Sequence, residues 1–245
     1  MTYNGGFAKY VKVKEKYYYI FNDIVNQYCN KQTAYKLGAT IEPTGVAYNG
    51  LFVRGGGVRP GGHCAVFGAD PVGLATIALL KTSGAAKLFA FETAPERRQL
   101  ALELGADYVN DPIAMARDGI DSAELLLLEK ESRGISLLVE CSSPSSANYP
   151  VMEHSLAIGG KTIQIGHTLG LTPVDIFNWQ WNAGSISGSN GQSGQGIYPD
   201  VIALMASGRI DMRKMVTGRY NLEDIEEGVK VTAGKVLVST SYPRL

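Results

Sequence analysis

Short, near-continuous apolar runs recur along the chain, at residues 64–67 (Cys64-Ala65-Val66-Phe67), 88–91 and 135–139, and a fifth strand is expected at 161–166. Such runs are typical of strands buried on both faces. Between them lie segments with helical spacing at residues 74–80, 95–104, 121–131 and 149–157. The alternation predicts βαβ units and a parallel sheet covered by helices. A short third strand is expected at 106–109, an edge strand at 184–188, helices at 198–208 and 222–229, and a closing strand at 236–239. No internal repeat is visible.

The front of the chain has a different texture. Residues 7–13 alternate in the strand period, and the aromatic run 17–21 (Tyr-Tyr-Tyr-Ile-Phe) is strand-prone. Both read as the tail of a β-rich unit. From Ile41 an apolar helix is expected to run to about Val53, with Glu42-Pro43 in its first turn, where proline is tolerated. Gly55-Gly56-Gly57 and Pro60-Gly61-Gly62 end it. The expected organisation is a β-rich remnant over 1–43, a doubly wound α/β domain over 44–188, and a segment over 189–245 that returns to the remnant.

The turn after the first buried run reads Gly68-Ala69-Asp70-Pro71-Val72-Gly73, and Glu92 closes the second run. A strand, a glycine turn, a helix and an acid about 20 residues further on make the dinucleotide-binding fingerprint of the Rossmann fold. Gly68 permits the tight turn, and Gly73 permits close packing of helix on strand. The helix N-terminus, with Pro71 and Val72 in its first turn, attracts a pyrophosphate. Glu92 stands where a ribose-binding carboxylate is expected, which favours NAD over NADP, while Arg97 and Arg98 in the next helix are within reach of a phosphate. The middle position, where the backbone approaches the pyrophosphate, is Asp70. A unit charge at about 6 Å and an effective dielectric near 20 costs about 3 kcal/mol, roughly a hundredfold in affinity. Weak NAD binding is therefore expected, with Lys235 a partial compensator.

Composition narrows the partners. The chain of 245 residues is 45% hydrophobic, with 23 basic and 23 acidic residues, so no net field favours nucleic acid or an anionic membrane. Three cysteines, Cys29, Cys64 and Cys141, make no disulfide framework and point to the cytoplasm. No apolar stretch is long enough to span a membrane.

Taken together, Gly6-Phe7-Ala8-Lys9-Tyr10-Val11, Ile41-Glu42-Pro43-Thr44-Gly45-Val46, the glycine turn, Leu104-Gly105-Ala106-Asp107 and Val139-Glu140-Cys141 resemble the medium-chain zinc-dependent alcohol and polyol dehydrogenases. The segments 188–194 and 204–208 look most like the inositol and inosose dehydrogenase branch. The resemblance implies NAD-dependent hydride transfer from a polyol or cyclitol, a GroES-like front domain of which only a remnant is present, and a homodimer through the edge strand. It places Glu42 at the catalytic zinc as ligand or water-holder. It also implies that Cys141, Ile165 and Gly166, at the ends of the fourth and fifth strands, line the cofactor crevice.

Catalytic zinc takes three protein ligands, and Glu42 has no cysteine or histidine at ligand spacing, so zinc is expected to be absent unless a longer chain or a partner supplies ligands. His63 and Cys64 point to opposite strand faces, and His63 and His154 read as surface residues. His167 follows the fifth strand, near the expected nicotinamide position, while Cys141 beside Ser142 reads as structural. Tyr10 and Lys14 have the spacing of a short-chain dehydrogenase pair but precede the glycine turn, and are taken as coincidence. The alternative function is a non-catalytic nucleotide-binding or oligomerising module. Loss of a front domain is also expected to expose apolar surface along 41–52.

Overall fold

The computed structural model describes residues 6–128, 134–143, 145–168, 170–194 and 196–230, with the backbone alone at Leu128 and Lys235–Ser239. A single 3-10 turn, Glu15–Tyr17, precedes helices α1 (Asn22–Tyr28) and α2 (Lys31–Tyr48), and a π-helical turn, Asn49–Arg54, extends α2. Then come β1 (His63–Phe67), α3 (Pro71–Thr82), β2 (Lys87–Phe91), α4 (Pro95–Glu103) and β3 (Tyr108–Asn110). Two short helices, α5 (Pro112–Arg117) and α6 (Ser122–Leu128), lead to β4 (Ile135–Glu140), α7 (Ser145–Ser155), β5 (Leu156–Gln164), α8 (Ile176–Trp181) and β6 (Ser185–Gly188). The chain continues through α9 (Ile197–Ala206), β7 (Val216–Asn221), α10 (Ile225–Lys230) and β8 (Lys235–Ser239).

Six strands form one sheet in the order β3-β2-β1-β4-β5-β6, every pair parallel. This is the doubly wound α/β sheet expected from the buried runs. The chain winds outward in one direction from β1 and in the other from β4, so the switch of direction falls between them, where such sheets open a ligand crevice. Alternate residues of β1 serve opposite layers: Cys64 and Val66 pack with α2, α3 and α9, whereas Ala65 and Phe67 pack with the layer containing Tyr149, Met152 and Trp179. Leu74, Ile77 and Leu80 of α3 are fully buried, sites where truncation to alanine costs about 2–5 kcal/mol.

Three expectations for the front of the chain are corrected. Residues 7–13 and 17–21 form no strand and are almost wholly exposed. Their residue types suit a sheet, but among the described residues no neighbouring strand pairs with them. The helix expected to begin at Glu42-Pro43 instead begins at Lys31, capped by the Asn30 side chain, which accepts from the Thr33 amide at 3.1 Å. Pro43 lies inside it, in a buried turn where the hydroxyls of Thr40 and Thr44 bond to the carbonyls of Leu37 and Thr40, each at 2.7 Å. Nor is 41–52 an exposed apolar face, because Ile41, Ala47 and Leu51 are buried in the core with α3 and α9.

The closing strand, β8, does not join the main sheet. It pairs in parallel with β7, Val216 opposite Lys235, as a separate two-stranded sheet. The β-rich element outside the main sheet, among the described residues, is therefore at the C-terminal end.

Candidate functional site

The carboxyl ends of β1, β4 and β5 converge on Gly68, Ser142 and Gly166. Gly68 has φ +93, and a Cβ there would come within 3.0 Å of the Ser142 amide. A Cβ on Gly166 would collide with the Ser142 carbonyl, and one on Gly73 with the Gly68 carbonyl. Backbone bonds tie these ends together: the Gly68 amide to Phe91 O, the Cys141 amide to Phe67 O, and the Ile165 and Gly166 amides to Glu140 O, all at 2.8–2.9 Å. At the switch point of the sheet these ends thus meet largely through backbone, with the Ser142 side chain beside Gly68.

Asp70 is the N-cap of α3. Its Oδ1 accepts from the amides of Val72 at 3.0 Å and Gly73 at 2.8 Å, with Pro71 in the first helical position. The carboxylate bends back onto the helix terminus instead of projecting at whatever lies in front of it. Burial raises its pKa, outweighing the Gly73 and Val72 amides and Arg97 that act the other way.

Glu92 is 7% exposed. Its Oε2 accepts from the Ala69 amide at 2.7 Å and its Oε1 from the Ala94 amide at 2.9 Å, with Arg97 at 3.8 Å. Arg98 is held by the carbonyls of Glu92 and Thr93 and by Asp111 at 3.1 Å. The two residues expected as ribose and phosphate contacts, Glu92 and Arg97, are therefore paired with each other.

A second buried carboxylate, Glu140, closes β4. Oε1 accepts from both the amide and the hydroxyl of Ser142 at 2.6 Å, and Oε2 from Asn148 Nδ2 at 2.7 Å. Burial raises its pKa against these donors. In the sequence Glu140 stands out only as part of a motif. The signal that marks it is a carboxylate at the end of a run otherwise buried on both faces.

Cys141 is buried, 3.8 Å from the Thr76 hydroxyl, and its thiol pKa is raised well above the ordinary value by burial. Burial likewise pushes Cys64 up to about 12. Both thiols are held in their un-ionised, unreactive form.

Asn49 is a buried polar residue that the sequence pattern did not single out. It is fully buried in the π-helical turn, where Nδ2 donates to Ser189 Oγ and to Gly191 O, and Oδ1 accepts from Ser193 Oγ. Its neighbour Gly50 packs on Ile165. A polar residue inside an apolar helical segment was the available signal.

Other expected site residues lie apart from the crevice or stand alone. Glu42 is exposed on α2. Among the described residues no three His, Cys, Asp or Glu side chains come together as a metal site, so Glu42 has no second or third zinc ligand beside it among them. His154 and His167 are exposed, Tyr10 and Lys14 lie on the exposed front segment, and the backbone of Lys235 lies in the separate small sheet. His63 lies at the opposite end of β1, beside a cleft of about 980 Å³ lined by Arg59, Gly62, Ser136, Ile158 and Lys161. Lys161 Nζ there is bonded to the Gly55 carbonyl. That cleft is at the amino ends of the strands, whereas ligands of open parallel sheets bind at the carboxyl ends.

A dinucleotide meets a mixed fit. Gly68 and Gly73 give the close approach it needs, but the amides of Ala69, Val72 and Gly73 already have acceptors within the chain. While Asp70 caps the helix, the Val72 and Gly73 amides are engaged within the chain and are not open to a pyrophosphate.

Comparison with known proteins agrees with the topology. The family profile described as zinc-binding dehydrogenase matches residues 71–207. The scyllo-inosose 3-dehydrogenase of Thermotoga maritima is 36% identical over 231 residues, covering 93% of this chain and 57% of the relative. The (R,R)-butanediol dehydrogenase of Bacillus subtilis is 32% identical, covering 91% of this chain and 60% of the relative. A solved Thermotoga maritima structure superposes with a TM-score of 0.88 at 34% identity, over 96% of this chain and 60% of that one. The B. subtilis 2R,3R-butanediol dehydrogenase structure gives 0.73 at 29% identity, over 84% and 58%. The chain thus spans about 57–60% of the length of these proteins.

Proposed function

This chain belongs to the zinc-binding dehydrogenase family, and from that premise we propose that it is the nucleotide-binding part of an alcohol or polyol dehydrogenase, with a polyol or cyclitol alcohol as hydride donor. The relatives named for scyllo-inosose and butanediol support that substrate class. The observation that carries the reading is the crevice of Gly68, Ser142 and Gly166 at the switch point of a β3-β2-β1-β4-β5-β6 sheet. NAD is the proposed cofactor in preference to NADP, because a 2′-phosphate would approach the Glu92 carboxylate. The organisation proposed is 1–43, 44–188 and 189–245, with α2 carrying the chain unbroken across the first boundary.

The described residues do two things toward such a ligand. The glycines of the turn bring no side chain to the crevice, and Glu92 and Glu140 fix the backbone around it through the Ala69, Ala94 and Ser142 amides. The alternative reading is a nucleotide-binding or oligomerising module without polyol oxidation, consistent with Glu42 standing apart from other metal-ligand side chains among the described residues.

We propose a homodimer through β6, an edge strand whose Ile186 is exposed; Phe177 and Trp181 of α8, the helix that precedes it in the chain, are exposed as well. A cytoplasmic setting accords with cysteines that are all unpaired, and no helix among the described residues is long and apolar enough to cross a membrane.

Calorimetric titration with NAD, NADP and adenosine tests the reading. Saturable binding of adenosine, and of NAD more tightly than NADP, is expected. Absence of saturable binding by every one of them would remove it.

A further inference from the structure

The first turn of a helix presents amides that an anion or a capping side chain must satisfy. At α3 the accounting is closed from within. Pro71 has no amide hydrogen, Val72 and Gly73 donate to Asp70 Oδ1, and Leu74 donates to Asp70 O at 2.8 Å. On the strand side of the turn, Gly68 donates to Phe91 O and Ala69 to Glu92 Oε2.

Nothing in the backbone forces this arrangement. Asp70 has φ −67 and ψ 179, ordinary extended geometry open to any residue, so its identity decides only what fills the space before the helix. Glu92 is a second carboxylate close by, and Arg97 is a cation acting on both.

We propose that Asp70 is a specificity-determining residue of this crevice: its carboxylate stands in the place of a ligand phosphate at the N-terminus of α3, so the crevice accepts a nucleoside in preference to a diphosphate-linked dinucleotide. The proposal rests on the crevice being a nucleotide site. It differs from simple repulsion by the Asp70 charge, because the obstacle is occupancy of the two amides. An uncharged side chain that still accepts from them must obstruct as well. Asparagine caps helices about as well as aspartate, which separates the two causes.

The experiment is calorimetric titration of NAD and of adenosine into the wild-type chain, Asp70→Asn, Asp70→Gly and Asp70→Ala, with each variant's fold checked by thermal melting. The wild type alone already decides one point. It is expected to bind adenosine at least as tightly as NAD, and NAD binding about tenfold tighter than adenosine would overturn the proposal. Asp70→Gly is expected to tighten NAD by about tenfold or more, the worth of roughly one recovered hydrogen bond, and to leave adenosine unchanged. Asp70→Asn is expected to leave NAD close to wild type. Asp70→Ala repeats the test should the glycine variant not fold. Equal tightening by asparagine and glycine would assign the effect to charge and overturn occupancy. Equal NAD affinity in all forms would remove Asp70 from the site. Failure of every form to bind adenosine would instead sink the nucleotide-site reading, and the proposal with it.

Discussion

Glu92 Oε2 lies 2.7 Å from the amide of Ala69, a residue 23 positions earlier in the chain. Through this bond the end of β2 holds the glycine turn that follows β1. Glu92→Ala would leave the Ala69 and Ala94 amides without their acceptor, and a buried donor left unmet costs about 1–3 kcal/mol. Urea denaturation should show a loss of about 2 kcal/mol or more, with a smaller loss for Glu92→Gln, which keeps an acceptor. A loss below about 0.5 kcal/mol for Glu92→Ala, the scale of ordinary surface substitutions, would mean the bond does not hold the turn.

Glu140 makes stability depend on pH. Burial raises its folded pKa above the ordinary 4.5. For a carboxyl whose folded pKa is raised, the stabilising contribution is full below about pH 4.5 and is lost as pH rises through the folded value, at about 1.4 kcal/mol for each pH unit separating the folded and unfolded values. Glu140→Gln cannot ionise. The stability of the wild type relative to this variant should therefore fall as pH rises from 4.5, then level off. A difference that is flat, or that grows with pH, would show that the Ser142 and Asn148 donors outweigh burial.

The centre of the sheet was legible because residues buried on both faces leave near-continuous apolar runs, as in β1, β2 and β4, and the glycine turn because its spacing is dictated by a close approach of helix to strand. The front of the chain was not. Residues 7–13 carry a strand pattern and 17–21 are strand-prone by composition, but a strand needs a neighbour, and neither signal says whether one is present. Pro43 suggested a helix start because proline is best placed there, yet threonine hydroxyls accompany it inside α2. For Asp70 the sequence showed the charge but not its direction. An aspartate before a helix is also a cap, and the cap is what formed. The roles of Glu140 and Asn49 depend on side-chain partners, and those of Asn49, Ser189 and Gly191, are distant in sequence, where no local pattern reveals them.

Asn49 holds the segment that follows β6. Asn49→Ala removes three hydrogen bonds, to Ser189, Gly191 and Ser193, and leaves a small void in the π-helical turn. The expected loss is about 1–3 kcal/mol, with hydrogen exchange of residues 189–194 faster than in wild type while that of β1 is changed only by the global loss. Unchanged exchange at 189–194 would mean the segment is held by other contacts.

The proposed homodimer predicts a change of mass. Sedimentation of the wild type should give a dimer at micromolar concentration, and Ile186→Lys should shift it toward monomer, because a charge on an edge strand opposes pairing. A wild type that is strictly monomeric would contradict the interface.

Binding of a nucleotide at the carboxyl ends of β1, β4 and β5 is tested most directly by following backbone amide resonances while adenosine is added. The shifts are expected to cluster at Gly68, Ala69, Ser142 and Gly166. Shifts clustered instead at His63, Ser136 and Lys161, around the cleft at the opposite ends of the strands, would contradict a site at the carboxyl ends.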